Sequence, residues 1–258
     1  MIENRHNHIL RKIRDDGEAS ITELAIQLNV SEMTIRRDLK ELEAEHLLKR
    51  VHGGAVIATG RSYEPPLLIR NETEIDAKTE IGKYAANLVE DGDSVAIDIG
   101  STTYEFAKNL VSKINLTIIT PGLYIANLFL SKPDIRVILS GGVIRHGEGS
   151  LTGQLTVKAF EGLFVDKLFL GMGGISAQAG CTEYNWDDAI VKQAMVRSAK
   201  EVIALADASK FDVIAFAQIC PLSSLKRLIT NQMPSDDLYQ ALKNANVQID
   251  LVASSNTQ

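Results

Sequence analysis

Arg36, Arg37 and Lys40, followed by Lys49 and Arg50, have the types and spacing to hold an anionic polymer. With Ile35 at the centre of a helical wheel, Leu39 and Leu42 fall at i+4 and i+7 on the same side. Met33, Arg37 and Lys40 then point away from that stripe, and Thr34 and Arg36 lie on its flanks. Ser31 stands in the N-cap position. An arginine fork matches guanine O6 and N7. A helix packed by one stripe and presenting arginines near its N-terminal end therefore suits a DNA major groove.

A second set of residues could hold a smaller anion. Asp98-Ile99-Gly100-Ser101-Thr102-Thr103 ends an apolar β-type run and leads straight into a helix. Small residues let backbone N–H groups approach an anion, hydroxyls add donors, and the helix start adds its dipole. Three further runs end in Thr120-Pro121-Gly122, Ser140-Gly141-Gly142 and Gly171-Met172-Gly173-Gly174. Lys192, on a helix, and Lys210, after a later strand, are candidates for charge pairing with a ligand. Glycines after strands are also ordinary turn chemistry. The residues alone leave a phosphate pocket and plain turns both open.

The elements that must position the basic helix lie just upstream. Arg5–Asp16 carries Ile9, Leu10 and Ile13 at helical spacing, and Gly17 is placed to stop it. Ser20 and Glu23 have the spacing of a capping box, opening a helix with Ile21, Leu24, Ala25 and Leu28 on one face. Asn29-Val30 makes a tight connection into the basic helix. Leu47–Val51 can form a strand and Gly53-Gly54 a reversal, which sets Lys49, Arg50 and His52 on or beside a hairpin near phosphate. This is the pattern of a winged helix-turn-helix. Such modules also bind proteins; the spacing from Ser31 to Leu39 and the His52–Ala55 wing favour DNA.

Bulk charge does not carry that reading. The first 54 residues hold nine Lys/Arg against ten Asp/Glu, so only the recognition face and wing are positive. The rest holds 18 against 23, an acidic part not expected to touch DNA. At 258 residues the chain has room for one to two domains. The expected division is a DNA-binding domain over 1–57, a linker over 58–72 containing Pro65-Pro66, and a sensing and oligomerisation domain over 73–258. A helix is expected from about Glu74 to Glu90. Strands are then expected at Val95–Ile99, Leu116–Thr120, Arg136–Leu139, Lys167–Leu170, Val202–Ala206, Leu228–Thr230 and Val247–Val252, with helices between them. That alternation implies an α/β domain with a mostly parallel sheet. There is neither an 18-residue apolar run nor a signal peptide, so the expected location is cytoplasmic. Cys181 and Cys220 are too few for a disulfide framework and read as small buried thiols. The five histidines form no ligand cluster, and no metal or other cofactor is expected.

The run Ser31-x-x-Thr34-Ile35-Arg36-Arg37-Asp38-Leu39, with Arg5-x-x-x-Ile9 before it and Lys49–Ala55 after it, resembles the DeoR family of bacterial transcriptional regulators. Asp98–Thr103, Gly141-Gly142, Leu170–Ile175, Gly180-x-Thr182 and Asp207–Phe211 resemble that family's effector domain, so the likeness spans nearly the whole chain. It departs at His46, where the family often has glycine, and at Pro121-Gly122, where many relatives carry Asn-Ser. The resemblance implies a C-terminal fold similar to sugar-phosphate isomerases. It also implies a phosphorylated sugar effector held by Asp98, Gly100, Ser101, Thr102, Thr103, Gly141, Gly142, Gly171, Gly173, Gly174, Thr182, Lys192 and Lys210. The partners expected are a double-stranded operator, that effector, and further copies of the chain, since palindromic operators favour a dimer or a multiple of one. The competing reading is an isomerase with a DNA-binding head. Proton shuttling needs a positioned acid or histidine, whereas Gly171–Ile175 contains neither and Glu183 lies past a further glycine turn. A dinucleotide site is excluded because no G-x-G-x-x-G follows the first strand.

Overall fold

Short polar caps set the N-terminal helices. The computed structural model describes residues 2–44, 47–56 and 60–253; His46 lies outside the described residues. The chain divides into two units, Met1–Thr73 and Glu74–Gln258. In the first, α1 (Ile2–Asp16) stops at Gly17, whose φ of +82° is a conformation glycine adopts without steric cost. A short strand, β1 (Glu18–Ser20), follows, and the Ser20 side chain caps α2 (Ile21–Gln27). Asn29, left-handed at φ 51°, makes the turn into α3 (Glu32–Ala44). Strands β2 (Lys49–Val51) and β3 (Gly54–Val56) form the wing, and β1 joins it to give a sheet of order β1-β3-β2. Gly54 is required there: a Cβ would lie 2.2 Å from the Ala19 carbonyl oxygen across β1 and β3. Ile9, Leu24, Ile35, Leu39, Leu42 and Leu48 form the core.

The described part of the expected linker, residues 60–72, contains a helix. Pro66 sits at the N-cap of α4 (Leu67–Glu72), where a fixed φ starts a helix rather than breaking one. Ile69 from α4 is buried in the first unit's core, and Glu72 pairs with Arg11 and Arg14 of α1.

The second unit opens with α5 (Ile75–Ala86), shorter than the expected helix. Then come β4 (Ser94–Ile97), α6 (Ser101–Lys108), β5 (Leu116–Thr120), α7 (Leu123–Leu128) and β6 (Ile135–Leu139). A hairpin of β7 (Val143–Arg145) and β8 (Ser150–Thr152) leads to α8 (Gln154–Phe160) and β9 (Val165–Leu170). Next are β10 (Gly174–Ser176), β11 (Gly180–Glu183), α9 (Trp186–Ser198), β12 (Ala199–Leu205) and β13 (Ala217–Cys220). The described chain closes with β14 (Arg227–Thr230), α10 (Asp236–Asn244) and β15 (Gln248–Leu251).

The seven apolar runs read from the sequence are the seven strands of one parallel sheet, of order β15-β14-β12-β9-β4-β5-β6. Successive side chains point to opposite faces. Ala96, Leu168 and Ala204 therefore join one buried cluster, while Val95, Ile97, Phe169 and Ile203 join the other. Phe106 of α6 stacks on Phe169 with ring centroids 3.9 Å apart. Two smaller antiparallel pieces, β7-β8 and β10-β11-β13, were not among the expected strands.

Candidate functional site

The first unit sorts the residues of α3 by face. Ile35, Leu39 and Leu42 are buried, whereas Met33, Arg36, Arg37 and Lys40 are exposed and Thr34 is half-buried. The Ser31 hydroxyl accepts the Thr34 N–H at 3.2 Å and lies 3.0 Å from the Thr34 hydroxyl, so the helix start is fixed. The Arg36 and Arg37 side chains, 55% and 81% exposed, each meet a carboxylate one turn away: Arg36 pairs with Glu32 at 3.3 Å, Arg37 with Glu41 at 3.0 Å. Such pairs contribute only about 0.3–0.5 kcal/mol and exchange readily for a phosphate or base. On the wing, the Arg50 side chain meets Glu43 at 2.6 Å, which ties β2 to α3, and Lys49 and His52 are exposed. Met33, Arg36, Arg37, Lys40 and Arg50 line one groove of about 540 Å³.

Asp38 is the exception on α3. It is buried, and Arg5 of α1 grips both its oxygens, Nε to Oδ2 at 2.5 Å and Nη2 to Oδ1 at 2.7 Å. Burial pushes the carboxyl upward, but the Arg5 guanidinium outweighs it and the group lies below its ordinary value. His6, Asp38 and Glu41 bring three ligand atoms within 4.8 Å of one another. With both Asp38 oxygens engaged by a cation, that cluster is built as ion pairs rather than as a metal centre.

In the second unit the strand order reverses between β4 and β9, and ligands of open α/β sheets sit outside the carboxyl ends of strands at such a point. There Asp98, just past β4, is fully buried and accepts the Gly171 N–H at 3.0 Å from beyond β9. The Lys192 ammonium lies 2.8 Å from Asp98 Oδ2 and 2.6 Å from Glu183 Oε2, and it donates to the Gly171 carbonyl at 3.1 Å. Burial alone would lower the Lys192 value, but the two carboxylates hold it above normal. Burial raises Asp98 to about 6, with Lys192 opposing and Glu183 assisting. Asp98 Oδ1 is buried and has no hydrogen-bond partner among the described residues.

Gly100, at φ 141° in a region open essentially to glycine alone, turns the chain into α6. Ser101, Thr102 and Thr103 occupy the first turn, where backbone N–H groups have no intrahelical acceptor.

Several expected ligand residues have other work. The three donors of Lys192 are matched by Asp98, Glu183 and Gly171, so it fixes the site from within instead of meeting an anion. Thr182 donates to the Gly174 carbonyl at 3.2 Å and accepts the Ala215 N–H at 3.0 Å. Thr103 turns its hydroxyl back to the Gly100 carbonyl at 3.1 Å. Gly173 and Gly174 make room for the Tyr184 ring and the Val213 backbone, and Gly171 lies against the Ile99 carbonyl. Gly141 and Gly142 lie past β6, two strands from β4, where Thr156 of α8 donates to the Gly141 carbonyl at 2.7 Å and a Cβ on Gly142 would meet the Thr156 hydroxyl. Lys210 is half-buried in a single helical turn after β12. Glu183 was set aside in the sequence as lying past a glycine turn. The structure places it against Lys192, because the β10–β11 hairpin returns the chain and pairs Gly174 with Thr182.

Two family models match the chain: the DeoR-like helix-turn-helix domain over residues 5–61 and the DeoR C terminal sensor domain over residues 73–232. The chain is 32% identical to the glycerol-3-phosphate regulon repressor of Escherichia coli (strain K12), over 96% of this chain and 98% of that protein. It is also 32% identical to the HTH-type transcriptional repressor GlcR of Bacillus subtilis (strain 168), over 96% and 95% respectively. Among solved structures it is similar to ribose 5-phosphate isomerase A from Methanocaldococcus jannaschii, with TM-score 0.41, 18% identity, and coverage of 54% of this chain and 55% of that one. It is likewise similar to eIF2B beta from Chaetomium thermophilum, with TM-score 0.44, 18% identity, and coverage of 67% and 53%. The chain thus spans about half the length of those solved structures.

Proposed function

The chain belongs to the DeoR family of DNA-binding transcriptional regulators, and on that premise we propose that it represses a carbohydrate-utilisation operon under control of a phosphorylated sugar. In this reading α3 enters the major groove, with Arg36 and Arg37 on base edges and Ser31, Met33, Thr34 and Lys40 around them. Lys49, Arg50 and His52 of the wing meet phosphate. The second unit holds the effector without converting it and joins copies of the chain into a dimer or a multiple of one, in the cytoplasm.

The observation that carries the effector reading is Asp98 Oδ1, a buried acceptor with no donor among the described residues, three residues before the start of α6. An unsatisfied buried acceptor costs about 1–3 kcal/mol. A sugar hydroxyl supplies the missing donor, while the amides of Ser101 and Thr102 suit the phosphate. The Escherichia coli relative is named for a glycerol-3-phosphate regulon, which fits a ligand carrying both groups.

The test is calorimetry of the full chain against a panel of sugar phosphates, read alongside operator binding. One member should bind and shift operator affinity at least tenfold, a coupling of about 1.4 kcal/mol. Thr102→Asp should abolish that response and leave ligand-free operator binding nearly intact, because a carboxylate repels the dianion. No binding at millimolar concentration overturns the reading. Asp98 and Glu183, drawn together by Lys192, are the observation that favours the isomerase alternative; turnover of a bound sugar to its isomer would decide for it.

A further inference from the structure

Cys181 on β11 and Cys220 on β13 are direct partners in an antiparallel ladder. Opposed residues of such a ladder have Cα atoms about 4.5–5.5 Å apart, inside the roughly 4.4–6.8 Å that a disulfide spans. The strands approach closely beside them: a Cβ on Gly180 would lie 2.4 Å from the Cys220 carbonyl oxygen. Both thiols are buried, so each is shielded from bulky reagents while facing the other.

We propose that Cys181 and Cys220 form a reversible dithiol–disulfide site in the second unit, oxidised by a peroxide. Cys220 is the attacking sulfur. The neighbouring Cys181 thiol stabilises its thiolate and lowers its pKa, whereas Cys181 itself is raised, first by Cys220 and then by burial. The Cys220 thiolate attacks one peroxide oxygen and breaks the O–O bond, giving a sulfenic acid and a hydroxide that is protonated to water. The Cys181 sulfur then attacks the sulfenic sulfur; the S–S bond forms, and the hydroxyl leaves as water with the Cys181 proton. Two thiols and one hydrogen peroxide become one disulfide and two waters.

The position gives the bond a route to the rest of the unit. β11 runs from Cys181 into Thr182, which pins Gly174 and Ala215, and Glu183, which holds Lys192. The ladder register already shifts between Cys181 and Thr182. Drawing the strands together there bears directly on the Lys192 cluster.

The reduced full chain, treated with hydrogen peroxide, then denatured, alkylated with iodoacetamide and weighed intact without reductant, tests this. The expected species has lost two hydrogens, carries no alkyl group on either cysteine, has the mass of a single chain, and regains both alkylation sites after dithiothreitol. Before oxidation the folded protein should resist iodoacetamide. Cys181→Ser removes the resolving thiol, so the Cys220 sulfenic acid should then be trapped when the peroxide-treated variant is denatured in the presence of dimedone. Two alkylated thiols after peroxide, a sulfinic acid on Cys220 beside a free Cys181, or a bond between two chains would each overturn the proposal. The wild-type mass decides even if the serine variant does not fold.

Discussion

Two buried aspartates, each facing a cation, are held in opposite directions. Asp38 in the first unit lies below its ordinary value and Asp98 in the second is raised to about 6. Burial raises both. The difference is satisfaction: Arg5 grips both oxygens of Asp38, whereas Lys192 reaches one oxygen of Asp98, is shared with Glu183, and leaves Oδ1 without a donor. A closed fork makes Asp38 a fastener between α1 and α3. An incomplete one leaves Asp98 short of a partner among the described residues, which suits the effector-binding role proposed for it.

The largest effect should come from Lys192. In Lys192→Met two buried carboxylates lose their cation, and breaking such a pair costs about 3–5 kcal/mol. Denaturant unfolding should show the second unit melting early, with the first unit's transition in place. Equal loss in both transitions would mean that the cluster is not the local fastening described.

The two aspartates should next separate by pH. The folded-state value of Asp98 is raised, so its contribution to stability is full below pH 4 and is lost as pH rises through about 6. A rise of that size corresponds to up to about 3 kcal/mol. Asp38 has the reverse sign: its contribution is present above about pH 4 and is lost only as pH falls through its lowered value. Between pH 4 and 6, then, wild type should lose stability relative to Asp98→Asn, while the difference between wild type and Asp38→Asn stays flat. Parallel slopes for the two variants would remove the contrast.

Arg5→Ala should cost less than Lys192→Met, about 2–3 kcal/mol, because it takes the cation from one buried carboxylate rather than two, and His6 still lies 3.3 Å from Asp38 Oδ1. Operator affinity should fall with it, since α1 no longer braces α3, and the melting transition of the first unit measures the loss. Full stability in the alanine variant would mean that the Arg5–Asp38 pair is dispensable.

What was legible in the sequence follows the same division. The seven strands could be read because strands buried on both faces are continuous apolar runs such as Leu168-Phe169-Leu170. The α3 face could be read because one stripe repeats at helical spacing. The hairpins β7-β8 and β10-β11 could not: three- and four-residue strands carry too short a period. Missing the second hairpin hid Glu183, which only the return of β11 brings back to Lys192. The Arg5–Asp38 fork was hidden for a similar reason, since it joins residues 33 apart that no local pattern links. Lys192 was legible as a charge but not as a buried one, because its partners lie on other elements.

Arg37 marks the opposite end of the scale from Lys192. Its side chain is 81% exposed, and its carboxylate partner, Glu41, is 43% exposed. Removing it leaves no buried charge, so Arg37→Ala should change unfolding free energy by no more than about 0.5 kcal/mol. The same change should cost about 1–3 kcal/mol of discrimination between operator and a variant at the base it reads. Lys49→Ala should instead weaken every sequence alike and lower the salt slope by about one, the signature of a phosphate contact. Titrating both variants against operator and scrambled duplex at two salt concentrations separates the roles. If Arg37→Ala bound the two duplexes in the wild-type ratio, the exposed face of α3 would not be the reading face. The comparison between a rigid buried ion cluster and an exchangeable exposed one would then lose its functional half.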